Sequence, residues 1–127
     1  MTPYIAVGLA NPVMKRFNRI REEAIKIERQ EIMHTSETVQ KIMALVCFDF
    51  QLTSEQLQSK SRKREIVLAR MFCMKLIRQT TELSLTETGK IFNRDHSTVI
   101  YSTDTLKDLI ETDYKIADRY NGIEKLI

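Results

Sequence analysis

Apolar positions along this chain recur in steps of three and four for most of its length, the spacing of helices that bury one face. PVMKRFNRIREEAIKIERQEI, residues 12–32, sets Val13, Phe17, Ile20, Ala24 and Ile27 in a narrow stripe behind Pro12, which suits a first helical turn. Two heptads do not establish a coiled coil, so the stripe is open either to packing on the chain's own domain or to a partner protein. HTSET, 34–38, offers Thr35 or Ser36 as an N-cap, and a break in the helix is expected there. A second amphipathic helix follows, with Val39, Ile42, Met43, Val46 and Cys47 inward, ending around Phe48 to Phe50. TSEQLQ, 53–58, opens with Thr53 and has Gln56 three residues on, the reciprocal capping pattern, which predicts a short helix. A long periodic segment then runs from Ile66 to Ile77.

SLTETGKIFNRDHSTVIYSTDTLKDLI, 84–110, has the grammar of two helices across a very short turn. Ser84 or Thr86 caps the first, whose Leu85, Ile91 and Phe92 point inward while Glu87 and Lys90 point out; Gly89 permits a close contact. The turn is Asn93 and Arg94. Asp95 is then an N-cap for the backbone of Ser97 or Thr98, and the helix turns Val99, Thr103, Leu106 and Ile110 inward. Two helices joined this tightly read as a helix-turn-helix, whose second helix enters a DNA major groove by its N-terminal end. A last amphipathic helix from 112 offers Tyr114, Ile116, Ala117, Tyr120, Ile123 and Leu126 to close the bundle. The expected fold is all-α, a multi-helix bundle spanning 36–127, with an N-terminal arm over 1–35 that is helical from about 12.

Composition agrees: 127 residues with 43% apolar side chains, three glycines and two prolines suit one helical domain rather than a disordered chain. Cys47 and Cys73 each lie inside an apolar run and lack paired metal-site spacing, so both read as small core residues of a reduced, cytoplasmic protein. No apolar run reaches the ~20 residues that span a bilayer. MTPYIAVGLANP has no early positive charge and does not read as an export signal.

The net charge is only +3, but it is unevenly spread. Residues 59–78 carry seven cations (Lys60, Arg62, Lys63, Arg64, Arg70, Lys75, Arg78) against one acid, Glu65, whereas residues 102–127 hold six acids and four bases. The C-terminal end should therefore face away from a polyanion. Arg70 and Arg78 lie eight residues apart, roughly 80° around a helix, which places both beside one contact face.

Asp95, His96 and Ser97 suggest a catalytic triad only until their spacing is considered. Adjacent residues on one turn diverge by about 100° each, and a base cannot then reach both a nucleophile and an orienting acid. Asp95 serves better as a cap. His34 is the other histidine and is distant in sequence, so no metal-ligand spacing arises. No enzyme, metal or cofactor site is expected.

SKSRKREIVLAR, 59–70, followed by SLTETGKIFNRDHSTVI, 84–100, resembles the C-terminal DNA-binding domain of the bacterial replication initiator DnaA, of the Trp-repressor-like helix-turn-helix superfamily. The resemblance extends over roughly residues 36–127. It implies that Arg62 enters the minor groove with Lys60, Lys63 and Arg64 beside it, and that Arg70 and Arg78 lie on the contact face of the long helix. It also implies that Leu85, with Thr86 next to it, meets thymine methyls, and that Asp95, His96, Ser97 and Thr98 form the recognition tip. The implied partner is double-stranded DNA carrying a short, asymmetric A·T-rich element of the DnaA-box type, read in replication or transcription control. A protein-interaction adaptor that keeps the fold and uses the 12–32 helix is the alternative expectation.

The sequence departs from the family's pattern at several points. Met71 stands where glutamine is usual, Thr86 where proline or isoleucine is, and Thr88 where isoleucine is; the Phe-Gly-Gly turn is shortened to Phe92-Asn93. The ATPase phosphate loop is not matched, because Gly89-Lys90 has no glycine five residues earlier, and no nucleotide is expected.

Overall fold

The computed structural model describes residues 12–127, and side chains from residue 16 onward apart from 31–34. The reading of the first eleven residues, and the placement of the Val13 side chain, lie outside what is described. Among the described residues six helices follow in order: α1 Pro12–Phe50, α2 Ser54–Gln58, α3 Arg64–Thr80, α4 Leu85–Ile91, α5 His96–Thr112 and α6 Tyr114–Glu124. The chain separates into two units, with the division between His34 and Thr35.

In the first unit, Phe17 (62%), Ile20 (56%) and Ile27 (55%) are more than half exposed. The expected helix break at HTSET does not occur, since helix continues through Thr35 and Ser36 to Phe50. Cap-forming side chains in a helix interior cost only a few tenths of a kcal/mol each, and no glycine or proline stands between Val13 and Phe50 to stop propagation. The end comes instead at Gln51, whose positive φ of 56° turns the chain so that the Leu52 amide bonds back to the Cys47 carbonyl at 2.9 Å.

The second unit is a helical bundle organised on α3, which packs against α2, α4 and α5; α5 in turn packs on α4 and α6. Ile42, Leu57, Phe72, Met74, Leu76, Ile77, Phe92 and Leu106 are fully buried there. Phe72 sits between Phe50 and Tyr120 in two edge-to-face contacts, centroids 5.1 and 5.4 Å apart, joining the end of α1, α3 and α6. Arg119 fastens α6 to the same place: its Nε meets Asp49 Oδ2 at 2.6 Å while its guanidinium lies 3.6 Å above the Phe50 ring. In α6 the inward residues are Ile116, Tyr120 and Ile123, with Ala117 half-buried. Tyr114 and Leu126 are exposed, against expectation. The bundle takes one stripe of α6, Tyr114 falls off it, and Leu126 lies past the helix end.

Candidate nucleic-acid interface

The helix-turn-helix is built by local bonds that its sequence specifies. Ser84 caps α4 by accepting from the Glu87 amide at 3.1 Å. At the other end Asn93 takes a φ of 55°, and the Asn93 and Arg94 amides return to the carbonyls of Lys90 (3.2 Å) and Gly89 (2.8 Å), a Schellman closure. Asparagine thus fills the left-handed position, and the shortened turn closes without a glycine there. Gly89 is needed for a different reason. A Cβ at that position would overlap the Arg94 carbonyl oxygen and press on that of Asp95 at 3.2 Å, so only hydrogen lets the turn pass.

Asp95 begins α5 as the sequence predicts. Its Oδ1 accepts from both the amide and the hydroxyl of Thr98, each at 2.9 Å. Those bonds, the amide's first and the hydroxyl's second, hold the carboxyl below its ordinary pKa. A carboxylate so engaged orients no histidine. His96 and Ser97 are exposed, while Thr98 is half-buried with its hydroxyl proton committed to the cap and its methyl and lone pairs left for other contacts. Behind them Val99, Ser102 and Leu106 are buried, and the outward face continues through Ile100 (42% exposed) and Tyr101 (67%). Tyr101 is therefore not a core residue.

The cationic loop between α2 and α3 is shaped by its serines. Ser59 Oγ accepts from the Ser61 amide at 3.3 Å, and Ser61 Oγ accepts from the Lys63 amide at 3.2 Å. Lys60, Arg62, Lys63 and Arg64 all remain exposed. Arg70 does not join them. It is 6% exposed, and its guanidinium donates inward, from Nε to the Leu57 carbonyl at 2.8 Å and from Nη2 to those of Ser59 and Ser61, both at 2.7 Å. This corrects the expectation that Arg70 shares an outer contact face with Arg78. The angular spacing was sound, but three backbone acceptors draw the side chain under the loop. Burial, and then the nearby charge of Arg94, lowers its pKa from the ordinary arginine value. Arg78 is exposed at the end of α3 and donates to the Leu83 carbonyl, ordering the approach to α4. Leu85 is half-buried against the core and Thr86 is exposed.

Two side chains join loop and helix-turn-helix. Gln58 Nε2 donates to the Ile91 carbonyl at 2.8 Å, and Arg94 Nη2 donates to the Ser59 carbonyl at 3.2 Å. The Arg62 loop therefore adjoins the turn that launches the Asp95 tip. Lys60, Ser61, Arg62, Arg70 and Arg94 line a cavity of about 320 Å³ between them. Arg94 and Gln58 were not among the residues singled out from sequence; the bonds that make this join reach backbone carbonyls more than thirty positions away, which no local pattern marks.

Residues 39–106 match the family described as bacterial DnaA protein helix-turn-helix, a stretch covering the end of α1 through most of α5. The chain belongs to the DnaA helix-turn-helix family. It is 37% identical over 106 residues to the chromosomal replication initiator protein DnaA of Oenococcus oeni, covering 83% of this chain and 23% of that one. Against the DnaA of Bacteroides thetaiotaomicron it is 32% identical over 128 residues, covering 94% of this chain and 27% of the other. With the DnaA of Oleidesulfovibrio alaskensis identity rises to 52% over 62 residues, 49% of this chain and 13% of that protein. The chain thus spans about a quarter of the length of the first two DnaA relatives. Within the DnaA match fall the cationic loop, Arg70, Arg94 and the tip through Thr98.

Proposed function

We propose that this chain binds double-stranded DNA sequence-specifically, reading a short A·T-rich element of the DnaA-box type in control of replication or transcription. Arg62 lies in the minor groove. His96, Ser97 and the Thr98 methyl meet base edges in the adjacent major groove. Lys60, Lys63, Arg64 and Arg78 neutralise phosphates and supply salt-sensitive affinity, whereas the tip supplies discrimination. Arg70 contributes from beneath the loop, and Asp95 chiefly by starting the helix. The single observation that carries the reading is the Arg94 to Ser59 bond, which sets cationic loop and helix tip side by side, so that one duplex can meet both.

The chain works as a binder in the cytoplasm, without a catalytic step of its own. Among the described residues no helix is long and apolar enough to cross a membrane. A protein partner engages the 12–32 helix, where Phe17, Ile20 and Ile27 are exposed.

Random-sequence duplex selection tests the reading, followed by titrations between about 50 and 200 mM salt. A consensus is expected, with a log-log salt slope of about −5 if five or six phosphates are neutralised. Arg62→Ala should weaken binding to every duplex and make the slope shallower by about 1, while His96→Ala should chiefly flatten the base preference. No consensus, together with binding no stronger than that of any basic protein, would refute it.

A further inference from the structure

We infer that Arg70 and Arg94 are positioning residues: together they clasp the Ser59 carbonyl and fix the register between the cationic loop and the recognition tip, an inference that rests on the duplex-binding reading. Both guanidiniums donate to that one oxygen, Arg70 from below at 2.7 Å and Arg94 from the helix-turn-helix at 3.2 Å. Each is also anchored in its own element. Arg70 holds Leu57 and Ser61 on either side, and Arg94 Nη1 donates to the carbonyls of Phe92 (3.2 Å) and Asn93 (3.3 Å) in its own turn. Neither forms an ion pair with a carboxylate among the described residues. Two cations gathered on one peptide oxygen repel each other, an arrangement with no use in a merely adhesive contact, since a neutral glutamine could bond one carbonyl without it. What the planar forks add is direction: each guanidinium bonds carbonyls on two sides and so fixes the loop in orientation as well as in place.

The consequence is geometric. Arg62 lies between the Ser59 and Ser61 anchors and α3, so the minor-groove contact cannot slide relative to Asp95 while the clasp holds. A duplex must then present its two elements at one separation.

The test uses the full chain and the selected duplex, with and without one base pair inserted between the half of the consensus whose base preference His96→Ala flattens and the half whose preference it leaves intact. Wild type should lose about 100-fold in affinity on insertion, because one set of contacts is displaced. In Arg94→Gln, and in Arg70→Lys, which keeps the charge and loses the fork, the insertion should cost less than about 10-fold, with the salt slope unchanged in Arg70→Lys. An insertion penalty that stays at the wild-type value in both folded variants overturns the clasp while leaving duplex reading intact. So does an equal loss on both duplexes accompanied by a lower melting point, the mark of a merely structural role. A slope in Arg94→Gln shallower by about 1 with the penalty unchanged makes Arg94 a phosphate contact and overturns it too. Absence of duplex binding by wild type removes both readings together.

Discussion

Asp95 shows how much a single residue's chemistry depends on its neighbours. In sequence it stands beside a histidine and a serine; in the fold its carboxylate is spent on the Thr98 amide and hydroxyl. Because the cap favours the ionised form, the folded pKa lies below the unfolded value of about 3.9, and the stabilisation is complete above that value and lost as pH falls through the folded pKa. Asp95→Asn keeps a capping oxygen without titrating. The difference in melting temperature between wild type and Asp95→Asn should therefore shrink as pH drops from about 5 to 3, measured by circular dichroism at low salt. The cap was legible because it depends on residues within one turn. Arg70 was not: periodicity gives an angle around α3, but the carbonyls of Leu57, Ser59 and Ser61 that capture it are set by the path of an irregular loop.

At the scale of elements, the α4–α5 turn is the part most tightly determined by sequence. Gly89, Asn93 and Asp95 each do something few residue types do readily: admit a backbone, adopt a left-handed conformation, cap a helix. Gly89→Ala should destabilise the bundle by about 1–3 kcal/mol, because backbone rather than a flexible side chain must move aside. Asn93→Gly should be neutral or stabilising by up to about 1 kcal/mol, since glycine holds a positive φ without Cβ strain but leaves a looser unfolded chain. Urea melts of both variants check the pair of opposite signs. The capping box on α2 was equally readable, and both of its bonds form, at 2.9 and 3.1 Å. The unbroken α1 was not, because Thr35 and Ser36, though favoured at a helix start, are tolerated inside one at only a small cost. Local preference names the places where a helix can begin, and only a genuine breaker makes it do so.

For the whole molecule, the core reports on itself through its cysteines. Cys73 is wholly buried on α3, and burial pushes its thiol far above the ordinary range; Cys47, half-buried on α1, is raised less strongly. Near neutral pH a thiol reagent should modify Cys47 slowly and Cys73 only as fast as the bundle opens. Mass spectrometry of timed samples gives both rates, and comparable labelling of the two would show that α3 is less well enclosed than described. The helical class, the bundle and the turn could all be read from spacing, whereas the joining of loop to turn could not, being made through main-chain oxygens. That last property has a practical consequence. A carbonyl survives every substitution at its own position, so the cations at 60, 62, 63 and 64 can be exchanged to retune grip or groove preference while the frame that aims them persists. Anyone redesigning this protein for a new target thus has two nearly independent dials, one for strength in the loop and one for spelling at the helix tip.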